Sequence, residues 1–441
     1  MNCENLIKQI SEGKADAVLA NLYAEKPALP VQKERYVCAL RAFCKNFGDF
    51  AASAESSNVL DGVQIFSAPG RTEICGNHTD HQHGKCVAAS INLDALAVAR
   101  ASKSSVVNVL SEGYPLVSFD SSDLTLQENE KGTLAALVKG VLQGAKNSGF
   151  LVGGFDCYVT SNVIVGAGLS SSAAIENAVG CIVNHLFNGG KFNPVQIAKF
   201  SKFSENVYFF KPCGLLDQMA SSVGGLLCLD FLDFENPQYK KIDLDFSAFG
   251  YSLCIVDVKA SHADLTADYA AIPEEMHSVA AYFGKDFLRQ VVPADFYANI
   301  AKVRKVCSDR AVLRAFHFFE EETRVENLEK ALQNNDFSEF LQNVEESGES
   351  SFKFLQNIYS PANPAKQNVA VALAFTQKFL KEQGNNAGVC RIHGGGFAGT
   401  IQVFIKNEFV EHYKQTIEQI FGNNSCHIMK IRSSGTVKVE F

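Results

Sequence analysis

The chain lacks the excess of positive charge that nucleic-acid-binding proteins normally carry. Its 441 residues include 40 lysines and arginines against 48 aspartates and glutamates, which gives a formal net charge of −8. The basic residues are scattered along the sequence rather than clustered. Because binding to nucleic acid normally needs a basic surface, no nucleic-acid partner is expected.

Long apolar runs and regular cysteine spacing are also missing. No segment approaches the ~20 apolar residues that span a bilayer, and the polar N-terminus has no secretory apolar core. We therefore expect a cytoplasmic protein without a membrane partner. The 13 cysteines include no CxxC pair, which favours buried thiols over a metal or redox motif.

What the sequence does contain is typical of a globular protein of two or three domains, with 46% hydrophobic and 20% charged residues. Residues 1 to about 50 show near-helical apolar spacing. From Val63 onward, apolar and polar residues alternate and predict strands. These strands are expected over 63–71, 86–102, 104–113 and 115–123.

The remaining patterns predict further helices and strands. Helices are expected over 132–148, 171–187, 193–210 and most of 272–383, and strands near 155–165, 226–232, 251–259, 388–405 and 436–441. Because the helices are grouped rather than alternating strictly with strands, an α+β fold is expected instead of a doubly wound parallel sheet.

The stretch VGAGLSSSAA, residues 165–174, places two glycines and three serines between an apolar run and a helix of small residues. Glycines let a backbone approach an anion closely, and the helix N-terminus offers N–H groups and a favourable dipole. The pattern predicts a phosphate-binding loop. The alternative is a Gly/Ser turn that binds no ligand, because such turns can have the same residue spacing.

A second polar stretch, SAPGRTEICGNHTDHQHGK, covers residues 67–85 and suits a polyhydroxylated ligand. Asp accepts hydrogen bonds from adjacent hydroxyls, while Asn and His both donate and accept. The candidate residues are Arg71, Asn77, His78, Asp80 and His81. A metal site built from the histidines and Asp80 is the weaker alternative, because no distant His or Cys cluster completes it.

Two carboxylates follow the glycine loop. Glu205 and the Ser172 hydroxyl are plausible Mg2+ ligands, since Mg2+ prefers a few oxygen ligands. Asp217 opens a predicted helix and is a candidate base or orienting carboxylate for a hydroxyl nucleophile. A first-turn acid without a catalytic role is the alternative for Asp217.

A third glycine-rich stretch, RIHGGGFAGT, occupies residues 391–400 between strand patterns, where it could contact phosphate or pack against another loop. HGGG is similar to a lipase oxyanion loop, but GLSSS lacks the second glycine of a G-x-S-x-G elbow, and the order of the two motifs is wrong. A Walker loop is absent as well. A hydrolase or a P-loop fold is therefore not expected.

In this order, the three stretches resemble the GHMP kinases, and among them the galactokinases. APGR with GNHTDH is similar to the sugar-binding signature, usually GRxNLIGEHTDY, and the other two stretches are similar to the phosphate loop and the third motif. The resemblance implies a GHMP kinase fold with a helical appendage over 1–35, a ribosomal-S5-like domain over 36–215 and a ferredoxin-like domain over 216–441, with the active site between the two domains. The implied reaction is phosphorylation of a sugar's anomeric hydroxyl by ATP, in a monomer.

The resemblance also implies roles for individual residues. Asp217 matches the proposed catalytic base and Arg71 the arginine that steadies it. Ser172 and Glu205 match the Mg2+ ligands. The sugar contacts would be Asn77, His78, Asp80, His81 and Tyr269, which stands seven residues after His262, and the ATP phosphates would contact Gly166, Gly168, Leu169, Ser170, Ser171, Ser172 and Ala173.

The departures from the family pattern concern the substrate. Asn77 and His81 stand where galactokinases usually carry Glu and Tyr, and the arginines usually found just after the sugar-site tyrosine are missing. Replacing a carboxylate by an amide removes a charge that would repel a sugar acid, so galacturonate is the alternative to galactose. A third possibility is a sensor that binds sugar and nucleotide without catalysis. The complete serine loop argues against it.

Overall fold

A computed structural model describes residues 1–24, 29–48, 62–164, 166–260 and 265–441. His262, from which the position of Tyr269 was counted, lies outside these ranges. The helices are Cys3–Ser11 (α1), Asp16–Tyr23 (α2), Leu29–Phe47 (α3), Leu134–Asn147 (α4), Ser171–Phe187 (α5), Pro194–Phe203 (α6), Leu216–Val223 (α7), Thr266–Tyr282 (α8), Pro293–Val303 (α9), Asp309–Gln333 (α10), Phe337–Ser350 (α11), Asn368–Glu382 (α12) and Val410–Phe421 (α13). The strands are Gln64–Cys75 (β1), Lys85–Ala101 (β2), Val106–Ser111 (β3), Val117–Asp120 (β4), Phe155–Ser161 (β5), Leu226–Asp230 (β6), Gln238–Ile242 (β7), Tyr251–Asp257 (β8), Gly388–His393 (β9), Thr400–Lys406 (β10), Cys426–Met429 (β11) and Val437–Val439 (β12).

In the described part of the chain, the larger sheet has eight strands in the order β12-β1-β2-β5-β3-β4, with β6 paired to β2 and β7 paired to β6. The long strand β2 makes this branching possible, because its first residues pair with β6 and its last residues with β5. The pairings are antiparallel except for β3 with β5. The register of β1 on β2 shifts on both sides of Arg71, between Pro69 and Arg71 and between Glu73 and Cys75. Such irregularities redirect side chains locally.

Helix α5 is buried on most of its surface, which is typical of a helix packed between other elements. Its small residues permit close packing: a Cβ at Gly180 would lie 2.9 Å from Ile197 Cγ2 of α6. Apolar residues of α4, α5 and α6 form one core with strands β1, β2 and β5. This core fixes the N-terminus of α5 relative to β1.

The smaller sheet has four strands in the described residues, in the order β11-β8-β10-β9, all antiparallel. Apolar residues of α12 and α13 form a core with this sheet. Strands β9 and β10 are joined by residues 394–399, part of the third glycine-rich stretch. A separate core lies among α8, α9 and α10.

The N-terminal helices pack on the larger sheet, with α1, α2 and α3 contributing to a core that includes Leu96 and Val98 of β2. Cys3 and Cys44 form a disulfide between α1 and α3. The expectation that the cysteines are free thiols is therefore wrong for this pair, because α1 and α3 pack side by side. The described helices include none that is both long enough and apolar enough to cross a membrane.

The structure confirms the α+β class and most of the predicted elements. The helix predicted over 193–210 ends at Phe203 and continues as a single π-helical turn over Ser204–Tyr208. Strands β7 and β11 and helix α13 were not predicted. The division at 215/216 stays a prediction, although β6, β7 and β12 lie beyond it in sequence and join the larger sheet.

Candidate active site

Asp217 lies in the first turn of α7 and is held by residues from two other elements. Arg71 Nε of β1 donates to Asp217 Oδ1 at 2.7 Å, and the Ser170 hydroxyl donates to Oδ2. Burial opposes ionisation of this carboxyl, but the charge of Arg71 and the two hydrogen bonds hold the pKa of Asp217 below its usual value. The side chain remains about one third exposed, at 32%. The carboxylate is therefore ionised at neutral pH and open to a ligand.

The glycine loop leads directly into the N-terminus of α5. Gly166 and Gly168 have φ angles of +76° and +66°, and Ser170 is left-handed at +59°. Arg71 reaches this loop twice, because its guanidinium donates to the Gly168 carbonyl and its backbone N–H donates to the Leu169 carbonyl at 3.1 Å.

Ser170 is the residue before α5, but its side chain does not cap the helix because its hydroxyl bonds to Asp217. The first N–H groups of α5, on Ser171, Ser172 and Ala173, precede the first complete helical hydrogen bond. An N-terminus of this kind suits an anion.

The predicted metal ligands are in contact. Ser172 Oγ donates to Glu205 Oε1 at 3.0 Å, and Glu205 is buried. Gln218 Nε2 donates to Glu205 Oε2 at 2.8 Å, and Lys211 Nζ lies 2.7 Å from Glu205 Oε1. Two oxygen donors beside a helix N-terminus that suits an anion match what Mg2+ uses when phosphates and water complete its shell. The residues present therefore fit a Mg2+ ion carried by a nucleotide.

The polar loop after β1 reaches α7 and the third glycine-rich stretch. His78 Nε2 donates to the Gly395 carbonyl at 2.9 Å, and His81 Nε2 lies 3.4 Å from His78 Nδ1. Burial lowers the pKa of His78 to about 4, so its ring is neutral. Asp80 approaches Gly214 so closely that a Cβ there would lie 1.6 Å from Asp80 Oδ2.

Burial, together with the nearby charge of Asp217, raises the pKa of Asp80. The loop thereby brings the neutral His78 ring and the Asp80 carboxyl group close to Asp217 of α7. Among the described residues, no group of three or more His, Cys, Asp or Glu side chains is arranged to hold a metal. His83 instead stacks on Phe287 with ring centres 3.8 Å apart.

Asn77 is fully buried and its amide is bonded to protein groups. Its Nδ2 donates to Glu73 Oε1 and to the Gly394 carbonyl, both at 2.7 Å. Its Oδ1 accepts from Asn357 Nδ2 at 2.8 Å and from the Ser351 hydroxyl at 3.4 Å. Contact between this amide and a substrate would require an exchange of one of these bonds, so a direct role for Asn77 stays a prediction.

The third glycine-rich stretch packs against both other stretches. His393 Nδ1 donates to Thr400 Oγ1 at 2.9 Å, and Thr400 Oγ1 donates to the Ala167 carbonyl of the glycine loop at 2.8 Å. Tyr269 Oη donates to the Gly396 carbonyl at 2.8 Å, and burial raises the pKa of Tyr269 to about 12. The two alternatives for this stretch were contact with phosphate and packing against another loop. The structure shows packing against the glycine loop.

The structure therefore brings the predicted residues of all three stretches together, while their individual roles stay predictions. Sequence reasoning missed Glu73, which bonds to Asn77, and Lys211 and Gln218, which bond to Glu205. Glu73 lies inside the GRTEICGNHTDH stretch, and Lys211 stands six residues after Glu205. For Glu73, a charged residue inside a predicted ligand-binding stretch was the available signal, whereas Lys211 lies outside the three stretches.

Two family models match the chain. The GHMP kinases N terminal domain matches residues 136–225, which include the glycine loop, Glu205 and Asp217. The galactokinase galactose-binding signature matches residues 54–101, which include the polar loop after β1. Both matches cover segments that the fold brings into contact, through Arg71 and Asp217.

Curated relatives and solved structures agree with these matches. The chain is 27% identical to the galactokinase of Streptomyces coelicolor over 81% of this chain and 88% of that protein. It is 28% identical to the galactokinase of Thermotoga petrophila over 79% and 93%.

Among solved structures, galactokinase of Lactococcus lactis complexed with galactose has a similar fold. Its TM-score is 0.76 at 22% identity, over 90% of this chain and 98% of that chain. A mevalonate kinase has a TM-score of 0.57 at 14% identity, over 84% and 99%. The larger TM-score of the first comparison accompanies its greater coverage of this chain.

Proposed function

We propose that this chain, a sugar kinase related to the galactokinases of the GHMP kinase superfamily, transfers the γ-phosphoryl group of ATP to the anomeric hydroxyl of D-galactose. The product would be α-D-galactose 1-phosphate. The observation that carries this proposal is the contact of Asp217 with Arg71 and with Ser170 of the glycine loop. This contact supports the proposal because it puts an ionised carboxylate beside the N-terminus of α5, where a phosphate would bind.

In the proposed reaction, Asp217 orients the anomeric hydroxyl and accepts its proton as the oxygen attacks the γ-phosphorus. Its lowered pKa supports this role, because the carboxylate is already deprotonated at neutral pH. Arg71 keeps the carboxylate in position and adds a positive charge beside the glycine loop. Positioning and fixed charge supply most of the catalysis in phosphoryl transfer.

The triphosphate would lie against the glycine loop and the N-terminus of α5, where backbone N–H groups neutralise part of its charge. Ser172 and Glu205 would hold Mg2+. When bound, Mg2+ neutralises charge that builds up on the phosphate oxygens. Glu205 is kept in place for this by Gln218, which donates to the second carboxylate oxygen.

For the substrate, galactose is favoured over galacturonate by the surroundings of Asn77. The case for a sugar acid depends on the loss of a carboxylate at position 77. However, Glu73 Oε1 lies 2.7 Å from Asn77 Nδ2, so a carboxyl group is still present at this point of the site. Asp80 contributes another acidic group next to Asp217. Two acidic groups suit the hydroxyls of a neutral sugar better than a carboxylate.

The test is ATP-dependent release of ADP with D-galactose, D-galacturonate, N-acetylgalactosamine and D-glucose at equal concentration, with the product identified by phosphorus NMR. We expect the highest kcat/KM for galactose and a signal of an α-1-phosphate. Highest activity with galacturonate would reverse the proposed substrate. Binding of galactose and ADP without turnover would indicate a sensor.

The Asp217→Asn variant should lower kcat by about 10^2 to 10^4-fold, because it removes the proton acceptor while keeping the size of the side chain. The affinity for ADP, measured by calorimetry, should change little. Asp309→Asn is the matched control, because Asp309 pairs with Arg304 on the exposed surface. Full activity of Asp217→Asn would contradict a role as base.

A further inference from the structure

Lys211 is the cation nearest to the predicted metal ligand, and the proposed reaction gives it no role. Its Nζ lies 2.7 Å from Glu205 Oε1, the same oxygen that accepts a hydrogen bond from Ser172 Oγ at 3.0 Å. The backbone N–H of Lys211 also donates to the Glu205 carbonyl at 3.0 Å. Lys211 is thus bound to Glu205 through both its main chain and its side chain.

The ammonium group also acts electrostatically on acidic groups other than Glu205. Its charge lowers the pKa of Asp217 and that of Tyr269, although in both cases other causes are larger. Glu176 of α5 is a further neighbour: it is fully buried, and neither of its carboxylate oxygens has a hydrogen-bond partner among the described residues. Lys211 therefore faces several acidic groups on different elements.

The two side chains of this ion pair differ in solvent exposure and in how firmly they are held. The Glu205 side chain is 2% exposed and is fixed by Gln218 and Ser172, whereas the Lys211 side chain is 59% exposed. A lysine has a flexible stem and a compact charge that can exchange one anion for another. The carboxylate must stay in place, while the ammonium can move.

We propose that Lys211 is a nucleotide-binding residue that neutralises Glu205 in the absence of metal and turns onto the phosphates when Mg2+ and nucleotide occupy the glycine loop. The inference rests on the proposed function of that loop. Mg2+ and the ammonium would compete for the Glu205 carboxylate, whose Oε1 is already in contact with Ser172 Oγ and Lys211 Nζ. The released ammonium then has the phosphates at the N-terminus of α5 as its nearest new anions.

Two binding measurements without sugar test the proposal. In Lys211→Met, Mn2+ alone should bind about tenfold more tightly, because the competing cation is gone, as followed by electron paramagnetic resonance. ADP in the presence of saturating Mg2+ should bind about tenfold more weakly by calorimetry, which is the typical loss for one charged hydrogen bond to the phosphates. Lys211→Gln provides a second neutral variant if Lys211→Met does not fold.

Lys131→Met is the matched control. Lys131 is a lysine close to the same segment, with its Nζ 4.5 Å from the ring centre of Phe210, but its ion pair is with Glu128. It should leave both affinities unchanged, and Lys211→Arg should retain the affinity for ADP. Unchanged binding of either Mn2+ or ADP in the neutral variants would overturn the proposal. Since neither measurement contains a sugar, failure of the galactose assay would not be mistaken for failure of this inference.

Discussion

Burial determines the protonation states of the residues in the cleft. His78 is held neutral because desolvation lowers its pKa to about 4, whereas Asp217 stays ionised because Arg71 compensates for its burial. Burial also raises the pKa of Glu73 to about 7, despite the charge of Arg391 nearby. These side chains therefore differ in charge at neutral pH although they lie within one cleft.

The raised pKa of Glu73 predicts a pH-dependent cost to stability. Glu73 binds its proton more tightly in the folded state than in the unfolded state. Its contribution therefore falls as pH rises from about 4.5 to about 7, by an amount on the order of 3 kcal/mol. The amide of the Glu73→Gln variant does not titrate. The difference in urea midpoint, variant minus wild type, should therefore increase from pH 5 to pH 8.

Urea unfolding at several pH values checks this expectation. Glu235→Gln controls for the loss of one charge, because Glu235 is on the exposed surface with 81% of its side chain accessible. Parallel pH profiles for wild type and Glu73→Gln would show that burial does not raise the pKa of Glu73.

At the scale of elements, the cleft depends on the close contact between β1 and the glycine loop. Gly70 of β1 makes this contact possible, because a Cβ there would lie 2.8 Å from the Leu169 carbonyl and 3.0 Å from Val163 Cγ1. The same Leu169 carbonyl accepts the backbone N–H of Arg71. A shift of the loop would therefore move Ser170 relative to Asp217.

Gly70→Ala should thus lower kcat/KM by about tenfold or more, since displacements of about 1 Å in positioned groups are costly. Steady-state kinetics and ADP binding measure the effect. Gly113→Ala, in the turn between β3 and β4, is the control. Gly113 has a φ of +80°, so alanine there strains the local backbone, but a Cβ would meet no other atom within 4 Å. Equal activities of the two variants would show that the close contact is not needed.

For the whole molecule, one buried carboxylate joins distant parts of the chain. Asp94 of β2 is fully buried and pairs with Arg35 of α3 at 2.5 Å and with Arg432, near the C-terminus, at 3.4 Å. Arg432 also donates to the Ser67 hydroxyl of β1 at 2.7 Å. The N-terminal helices and the C-terminal segment are therefore both fixed to the larger sheet at this point.

Arg432→Met should lower the free energy of unfolding by about 3–5 kcal/mol, because it leaves a buried carboxylate with one fewer cation and buried carbonyls without their donor. Arg304→Met is the control: its ion pair with Asp309 is exposed, so a loss of at most about 1 kcal/mol is expected. Urea denaturation compares the two variants. Equal destabilisation would mean that the buried cluster adds nothing beyond a surface pair.

The sequence alone determined features that depend on local patterns. The limits of α5 at Ser171 and Phe187 were predicted correctly, because a glycine-rich turn and a following Asn bound a run of small and apolar residues. Strands β1 and β2 follow from alternation. The three glycine-punctuated stretches could be recognised because each combines turn residues with polar groups that bind ligands.

Only the tertiary structure decided which side chains meet. Asn77 and Glu73 are four residues apart, but the direction of the Asn77 amide depends on Gly394 and Asn357, which lie about 300 residues away in sequence. Likewise, Lys211 became a partner of Glu205 only because a π-helical turn folds that segment back. Contacts between distant segments depend on packing of the whole chain, for which a local pattern contains no signal.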